Sequence, residues 1–254
     1  MTGSRSSGSA LCTACGRRRA IYLRRSSGER LCHVCLERSL LKNIKRSFHY
    51  VKPPIRAVIL YVIPPCRLVE GVSGLALLSR LELKYGGVIV AALPNVITGK
   101  LGRDLLRGAG VIYYDSKCLE RLRKELGLVT PMSFIYYLSD HLTSTIEPLP
   151  NAIATPITLT DIVEEFLTNL LIGKSFRFKN SVKGIPLVHI FKRVLRTDIL
   201  AFSLAKGIAT FMNHELRCDI FREVEELTAE ISLRHSELAY RLPLSIANIM
   251  SYLR

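Results

Sequence analysis

Four of the seven cysteines fall in the pattern C-x2-C-x16-C-x2-C: Cys12, Cys15, Cys32 and Cys35. Thiolates two residues apart form short chelating turns, and two such turns can close a tetrahedron around one zinc ion. Four protein ligands leave no open coordination position, so such an ion staples a fold and does not catalyse. Disulfides among these cysteines are the weaker alternative in a reducing compartment. His33 lies between ligands and reads as a neighbour rather than a fifth ligand.

The element that must hold the two cysteine pairs apart is the insert GRRRAIYLRRSSGER. It carries six arginines around Ile21, Tyr22 and Leu23 and predicts a β-hairpin turned at Ser26-Ser27-Gly28. Beyond Cys35, Leu36, Leu40, Leu41, Ile44 and Phe48 recur at helical spacing, with Arg38, Lys42, Lys45 and Arg46 on the other side. Of the formal charge of +15, +11 belongs to residues 1–60, which hold thirteen basic and two acidic residues. A field so concentrated faces a polyanion, by neutralising phosphates and releasing their counterions; the bland alternative is a solubilising tail. The residues expected at an RNA are Arg17, Arg18, Arg19, Arg24, Arg25, Lys42, Lys45 and Arg46 on phosphates, with Tyr22 stacking on a base.

Composition bounds the rest. With 254 residues, 48% of them hydrophobic, and a positive mean hydropathy, the chain can bury a large core. Its longest apolar runs are too short for a membrane span and its first ten residues are polar, so a soluble, cytoplasmic protein without a membrane partner is expected. Three parts are anticipated: a zinc ribbon with its basic helix over 1–52, an α/β domain over 53–195, and a helical region over 196–254. Strands are predicted at about 55–63, 87–93, 109–114 and 151–155, and helices at about 68–84, 100–108, 116–126 and 159–172. Alternation of this kind implies a mostly parallel, Rossmann-like sheet between helices. Further helices are predicted at 196–212, 218–234 and 242–252.

The segment ATPITLTDIVEEFLTNLLIGKS resembles the A-T-G-H-N-L-D-D…L-x-N-L-L-x-G stretch of the tRNA 2-thiolation enzymes, which are PP-loop ATP-pyrophosphatases. The match runs through Ala154, Thr155, Leu159, Asp161, Leu167, Asn169, Leu170, Leu171 and Gly173. The paired cysteines around a basic hairpin also resemble that family's first zinc finger. VHIFKRVLRTDILAFSLAKGI and CDIFREVEELTAEISLRH are similar to its later segments. The resemblance implies a PP-loop fold, tRNA as partner, and a chemistry of adenylation followed by sulfur insertion.

The same comparison marks what has changed. The family's S-G-G-x-D-S loop would fall near Val72-Ser73-Gly74, but its second glycine, aspartate and last serine are absent, and Pro64 and Pro65 remove two N–H donors at the strand's end. In the second nucleotide-facing segment Pro156, Ile157, Thr158 and Thr160 replace Gly, His, Asn and Asp. The family's sulfur chemistry needs a C-x2-C pair and a distant third cysteine. Cys218 takes the third position, Cys118 stands as a remnant of the pair with Asp115 where its mate would be, and Cys66 adjoins the altered loop. Buried apolar thiols are expected for these three. Structural zinc is therefore the expected cofactor, and neither ATP nor an iron–sulfur cluster is expected.

The chain thus resembles the non-catalytic second subunit of the two-subunit 2-thiolation complex, with tRNA and a catalytic paralogue as partners and homodimerisation left open. Two alternatives are a divergent ATP-dependent tRNA sulfurtransferase with a rearranged loop and a stand-alone zinc-ribbon RNA-binding protein. Asp140-His141, His189, His214, Glu215 and His235 lack the spacing of a catalytic or metal set. Glu164 and Glu165 read as the solvated face of a helix whose core side is Ile162, Phe166, Leu167, Leu170 and Leu171.

Overall fold

The computed structural model describes residues 10–49, 51–98, 109–176, 178–210, 218–220, 222–234, 237–238, 241–242 and 245. The helix predicted over 100–108, most of that over 242–252, and His214, Glu215 and His235 lie outside these residues. Among the described residues no helix is long and apolar enough to cross a membrane.

The N-terminal module folds as its cysteine spacing requires. Strands β1 (Tyr22–Arg24) and β2 (Glu29–Leu31) pair antiparallel, with Tyr22 opposite Leu31, and α1 (His33–Phe48) follows directly. Gly28 takes φ +70° in the turn between them, a left-handed conformation that a side chain would strain. The apolar stripe Leu36, Leu40 and Ile44 is fully buried.

Beyond it the chain alternates β3 (Val58–Val62), α2 (Leu68–Tyr85), β4 (Val88–Pro94), β5 (Ala109–Tyr114), α3 (Cys118–Leu126), α4 (Pro131–Leu142), β6 (Ala152–Thr158), α5 (Leu159–Leu171), β7 (Ser181–Val182), β8 (Ile185–Phe191), α6 (Arg196–Ala205) and α7 (Arg222–Arg234). The sheet order is β5-β4-β3-β6-β8-β7, parallel throughout except for the edge pairing of β7 with β8. The succession β3-β4-β5 runs one way from β3 and β6-β8 the other, so the order reverses between β3 and β6. In open α/β sheets ligands bind at such a switch point, beyond the carboxyl ends of the strands.

Side chains divide between the two faces of the sheet with a period of two. Ile59 and Tyr61 of β3 join one buried cluster with Leu40 of α1, Leu75 of α2 and Phe202 of α6, whereas Leu60 and Val62 join a second with Phe134 of α4 and Ile153 of β6. The cysteine module therefore shares the first face's core through α1. Helix α4 and strands β7 and β8 have no counterpart among the elements expected from sequence. Helix α4 starts at a Thr130 capping box followed by Pro131, and its run of aromatic and β-branched residues obscures the helical period. Strand β8 sits in a stretch dominated by the basic residues that follow it.

Polar bonds lock the module to the core, most densely at Asp198. Asp198, at the start of α6, accepts a hydrogen bond from the Tyr22 hydroxyl at 2.7 Å and from Arg24 Nε at 3.2 Å. Arg24 is completed by Glu29 at 2.8 Å and Ser39 at 3.1 Å. Replacing Asp198 by alanine leaves a phenol and a guanidinium half-buried without their acceptor. Asp198→Ala is expected to lower stability by roughly 2 to 3 kcal/mol in urea unfolding, and Tyr22→Phe by about 1 kcal/mol.

Candidate functional site

Two places carry chemistry: the four-cysteine centre and the switch point of the sheet. In the first, the turns at Cys12–Cys15 and Cys32–Cys35 bring one sulfur each from four cysteines within 4.8 Å of one another, with Cys15 and Cys32 3.9 Å apart. Backbone N–H groups of Arg17 and Arg18 draw the Cys15 thiol down to about 6. Burial first, and then its three sulfur neighbours, push Cys35 up to about 12. Four thiols in this space cannot all ionise unless a cation neutralises them. Four sulfurs so placed could hold a metal ion.

Around it, Arg17, Arg18, Arg19, Lys42, Lys45 and Arg46 are exposed and have no carboxylate partner among the described residues. Arg25 is exposed and engaged elsewhere in the chain. Tyr22 and Arg24, expected to reach RNA, turn their polar ends inward to Asp198 instead. The strand alternation makes this switch of direction, because Tyr22 and Arg24 share the face that meets α6 while Leu23 points away.

At the switch point the loop after β3 is Ile63-Pro64-Pro65-Cys66-Arg67, and the helix starts at Leu68. Val72, Ser73 and Gly74 therefore do not form a loop before the helix; they lie inside α2 and are buried. Their glycine serves packing. A Cβ on Gly74 would overlap the Tyr61 hydroxyl, and one on Gly71 would overlap Ile63, so both glycines let α2 lie close against β3. The Tyr61 hydroxyl donates to Gly71 O at 3.1 Å across the same contact. Backbone donors at the strand's end are few: Pro64 and Pro65 have none, Ile63 N–H goes to Ala92 O at 3.1 Å, and Arg67 N–H goes to Pro64 O at 3.1 Å.

Side chains fill the space where a nucleotide would meet the sheet. Arg67 Nε donates to Asp161 Oδ1 at 2.6 Å and its Nη2 to Glu164 Oε2 at 3.1 Å. Arg196 Nη2 reaches the same Asp161 oxygen at 2.6 Å, its Nη1 reaches Glu164 Oε1 at 2.8 Å, and its Nε lies 3.4 Å from Glu70 Oε1. The other Asp161 oxygen caps α5, accepting from Thr158 N at 2.8 Å and Thr158 Oγ1 at 2.6 Å. Burial pushes the Asp161 carboxyl up, but Arg67 and Arg196 outweigh it and hold the group well below the usual carboxylate range.

The reading of Glu164 and Glu165 as a solvated face is thereby corrected. Glu164 is 1% and Glu165 7% exposed, whereas Leu170 and Leu171 of the expected core side are 63% and 64% exposed. The acidic face of α5 turns inward because two buried arginines wait there. Glu165 accepts from the Thr130 hydroxyl at 2.6 Å, and burial raises it to about 7.

A disulfide joins Cys66, beside Arg67, to Cys218, across 152 residues of sequence. These two were expected as buried thiols. The bond ties the loop after β3 to the segment between α6 and α7, whose Asp219 is fixed by Arg123 at 2.9 Å and by Val129 N–H at 2.8 Å. Cys118 is a half-buried free thiol, and the second cysteine of a C-x2-C is absent because Asp115 stands there. His189 is buried with Nδ1 2.7 Å from the Thr155 hydroxyl, and His141 ends α4 on the surface.

No family model matches the chain, and no curated protein sequence matches it. Among solved structures, the U34-tRNA thiolase NcsA from Methanococcus maripaludis, determined with its [4Fe-4S] cluster, is similar with a TM-score of 0.66. The likeness covers 96% of this chain and 88% of that one at 14% sequence identity. The chain has a PP-loop-type, Rossmann-like fold. The expectation that sets an iron–sulfur cluster aside does not stand: the structure with this fold carries one, and four converging cysteine thiolates are a donor set for iron–sulfur as well as for zinc.

Two measurements check the site. Cys32→Ser is expected to abolish stoichiometric metal in the purified protein and to remove hydrogen-exchange protection over residues 10–49, while the parallel sheet stays protected. Arg196→Met leaves three buried carboxylates facing one arginine and is expected to cost about 3 to 5 kcal/mol at pH 7. Because the folded-state pKa of Asp161 is depressed, its contribution is present above its unfolded value and is lost as pH falls through the folded one. The gap between variant and wild type should therefore narrow below about pH 4.

Proposed function

We propose that this protein binds tRNA and supports 2-thiolation without catalysing it, beside a catalytic relative that keeps an intact phosphate loop. The observation that carries the reading is the switch point, where Arg67, Arg196, Asp161, Glu164 and Glu70 pair with one another beyond the ends of β3 and β6. Phosphate recognition there needs free backbone N–H groups at a helix start. Here two of the loop residues are prolines, and three carboxylates against two guanidiniums leave a net negative charge that repels a polyphosphate. The likeness of fold to a U34-tRNA thiolase supports the link to tRNA modification.

The four-cysteine module supplies the basic surface for tRNA, through Arg17, Arg18, Arg19, Lys42, Lys45 and Arg46. Its metal fixes the hairpin that presents the first three. All four sulfurs lie within 4.8 Å of one another, with Cys15 and Cys32 3.9 Å apart, close enough for one metal centre to engage all four. Metal analysis identifies the occupant: zinc in a colourless protein, or iron with acid-labile sulfide and a brown chromophore.

Two experiments test the function. Pyrophosphate release from ATP with magnesium and tRNA is expected to stay at background, and turnover above it would return the chain to the enzymes. Fluorescence anisotropy with tRNA should show affinity falling steeply with salt. Changing Arg17, Arg18 and Arg19 together to alanine should flatten the slope of log K against log salt by about 2 to 3. Equal binding by the triple variant at every salt concentration would remove these arginines from the grip.

A further inference from the structure

Between the cysteine module and the core runs an open groove of about 550 Å³, walled by Ile21, Tyr22 and His33 on one side and by Leu200, Ala201 and Leu204 of α6 on the other. Ile21 is 51% and Leu204 71% exposed, so apolar surface faces solvent here. The lining holds no charged side chain. The carboxylates of the module and of the start of α6 are paired: Asp198 and Glu29 share Arg24, and Glu37 meets Arg80 and Lys206. The exposed run Arg17-Arg18-Arg19 ends two residues before Ile21. An apolar slot thus adjoins, along the chain, three exposed arginines.

A ligand for such a place combines an apolar, flat body with an anionic chain. We propose that the groove seats an unstacked base of single-stranded RNA, with the flanking phosphates on Arg17, Arg18 and Arg19. Single-stranded bases pack on tyrosine and histidine rings, and arginine-rich edges hold the backbone. Tyr22 suits this role because it is fixed. Its hydroxyl is bonded to Asp198 at 2.7 Å and lies 3.4 Å from Thr197 Oγ1, so its ring edge and face are set before RNA arrives and no rotamer must be ordered on binding. The polar end of Tyr22 that turns inward is what positions the ring outward. This inference rests on the RNA-binding reading above and adds to it a seat that is independent of salt.

The test compares two fluorescent probes, a single-stranded octa-adenylate and a blunt-ended RNA hairpin. Binding of each is measured over a salt series with wild type, Ala205→Trp and Ala201→Phe. Ala205 is an exposed position of α6 that also lines the groove, so its tryptophan fills the slot without disturbing the core. The expected result is a loss of about tenfold or more for the single strand in both variants, at every salt concentration, with the hairpin unchanged. Unchanged single-strand binding in folded variants overturns the seat and leaves the RNA-binding reading standing. Absence of binding by either probe to wild type overturns both. If the variants change self-association in sedimentation and not RNA affinity, the groove is a protein seat and the proposal is wrong.

Discussion

Two guanidinium groups and three carboxylates share one buried space at the carboxyl ends of β3 and β6, and neither set could stay there without the other. Isolated buried charge costs several kcal/mol per ion, whereas Arg67 and Arg196 each meet carboxylate oxygens at about 3 Å or less. The consequences spread outward from this point. Asp161 caps α5 with the oxygen that the arginines do not use, so the cluster fixes the start of that helix. Glu164 draws in Thr228 of α7 at 3.2 Å, and Arg196 begins α6, the helix on which the cysteine module rests. A crevice that other α/β proteins keep open for a ligand has become the hub that joins α2, α5, α6 and α7.

That hub is linked to the cysteine module through α6. Helix α6 leaves the ion cluster at Arg196 and meets the hairpin two residues later, where Asp198 takes Tyr22 and Arg24. Its apolar side, through Ile199 and Phe202, shares a core with Leu36 and Leu40 of α1. The metal centre is thus coupled to the sheet through one helix whose first residue is an ion-pair partner and whose third is an acceptor. The disulfide between Cys66 and Cys218 closes the same region from the other side, beside Arg67.

Much of the molecule could be read from residue types alone. The four cysteines announced their centre because two chelating turns and a hairpin are local, and each falls within a few residues of its partner. Strands β3, β4 and β5 and helices α2 and α5 lie where the apolar runs place them, since a parallel strand buried on both faces is a continuous apolar segment. The parallel sheet follows from the alternation. Misreadings arose wherever the partner was distant. Val72-Ser73-Gly74 has the look of a loop, yet its glycine answers Tyr61 on the neighbouring strand.

The sequence by itself determined the four-cysteine cluster, the sheet, and the loss of backbone donors at Pro64 and Pro65, because proline chemistry and cysteine spacing act over a few residues. Tertiary structure alone decided which face of α5 is inside, since Asp161 and Glu164 are made core residues by arginines 94 and 35 positions away in the chain. It also decided that the polar ends of Tyr22 and Arg24 meet Asp198, and that Cys66 finds Cys218. Periodicity counts apolar residues and cannot see a cation arriving from another helix. Only the folded chain brings the charges together, and only there does burying them cost less than leaving the space empty.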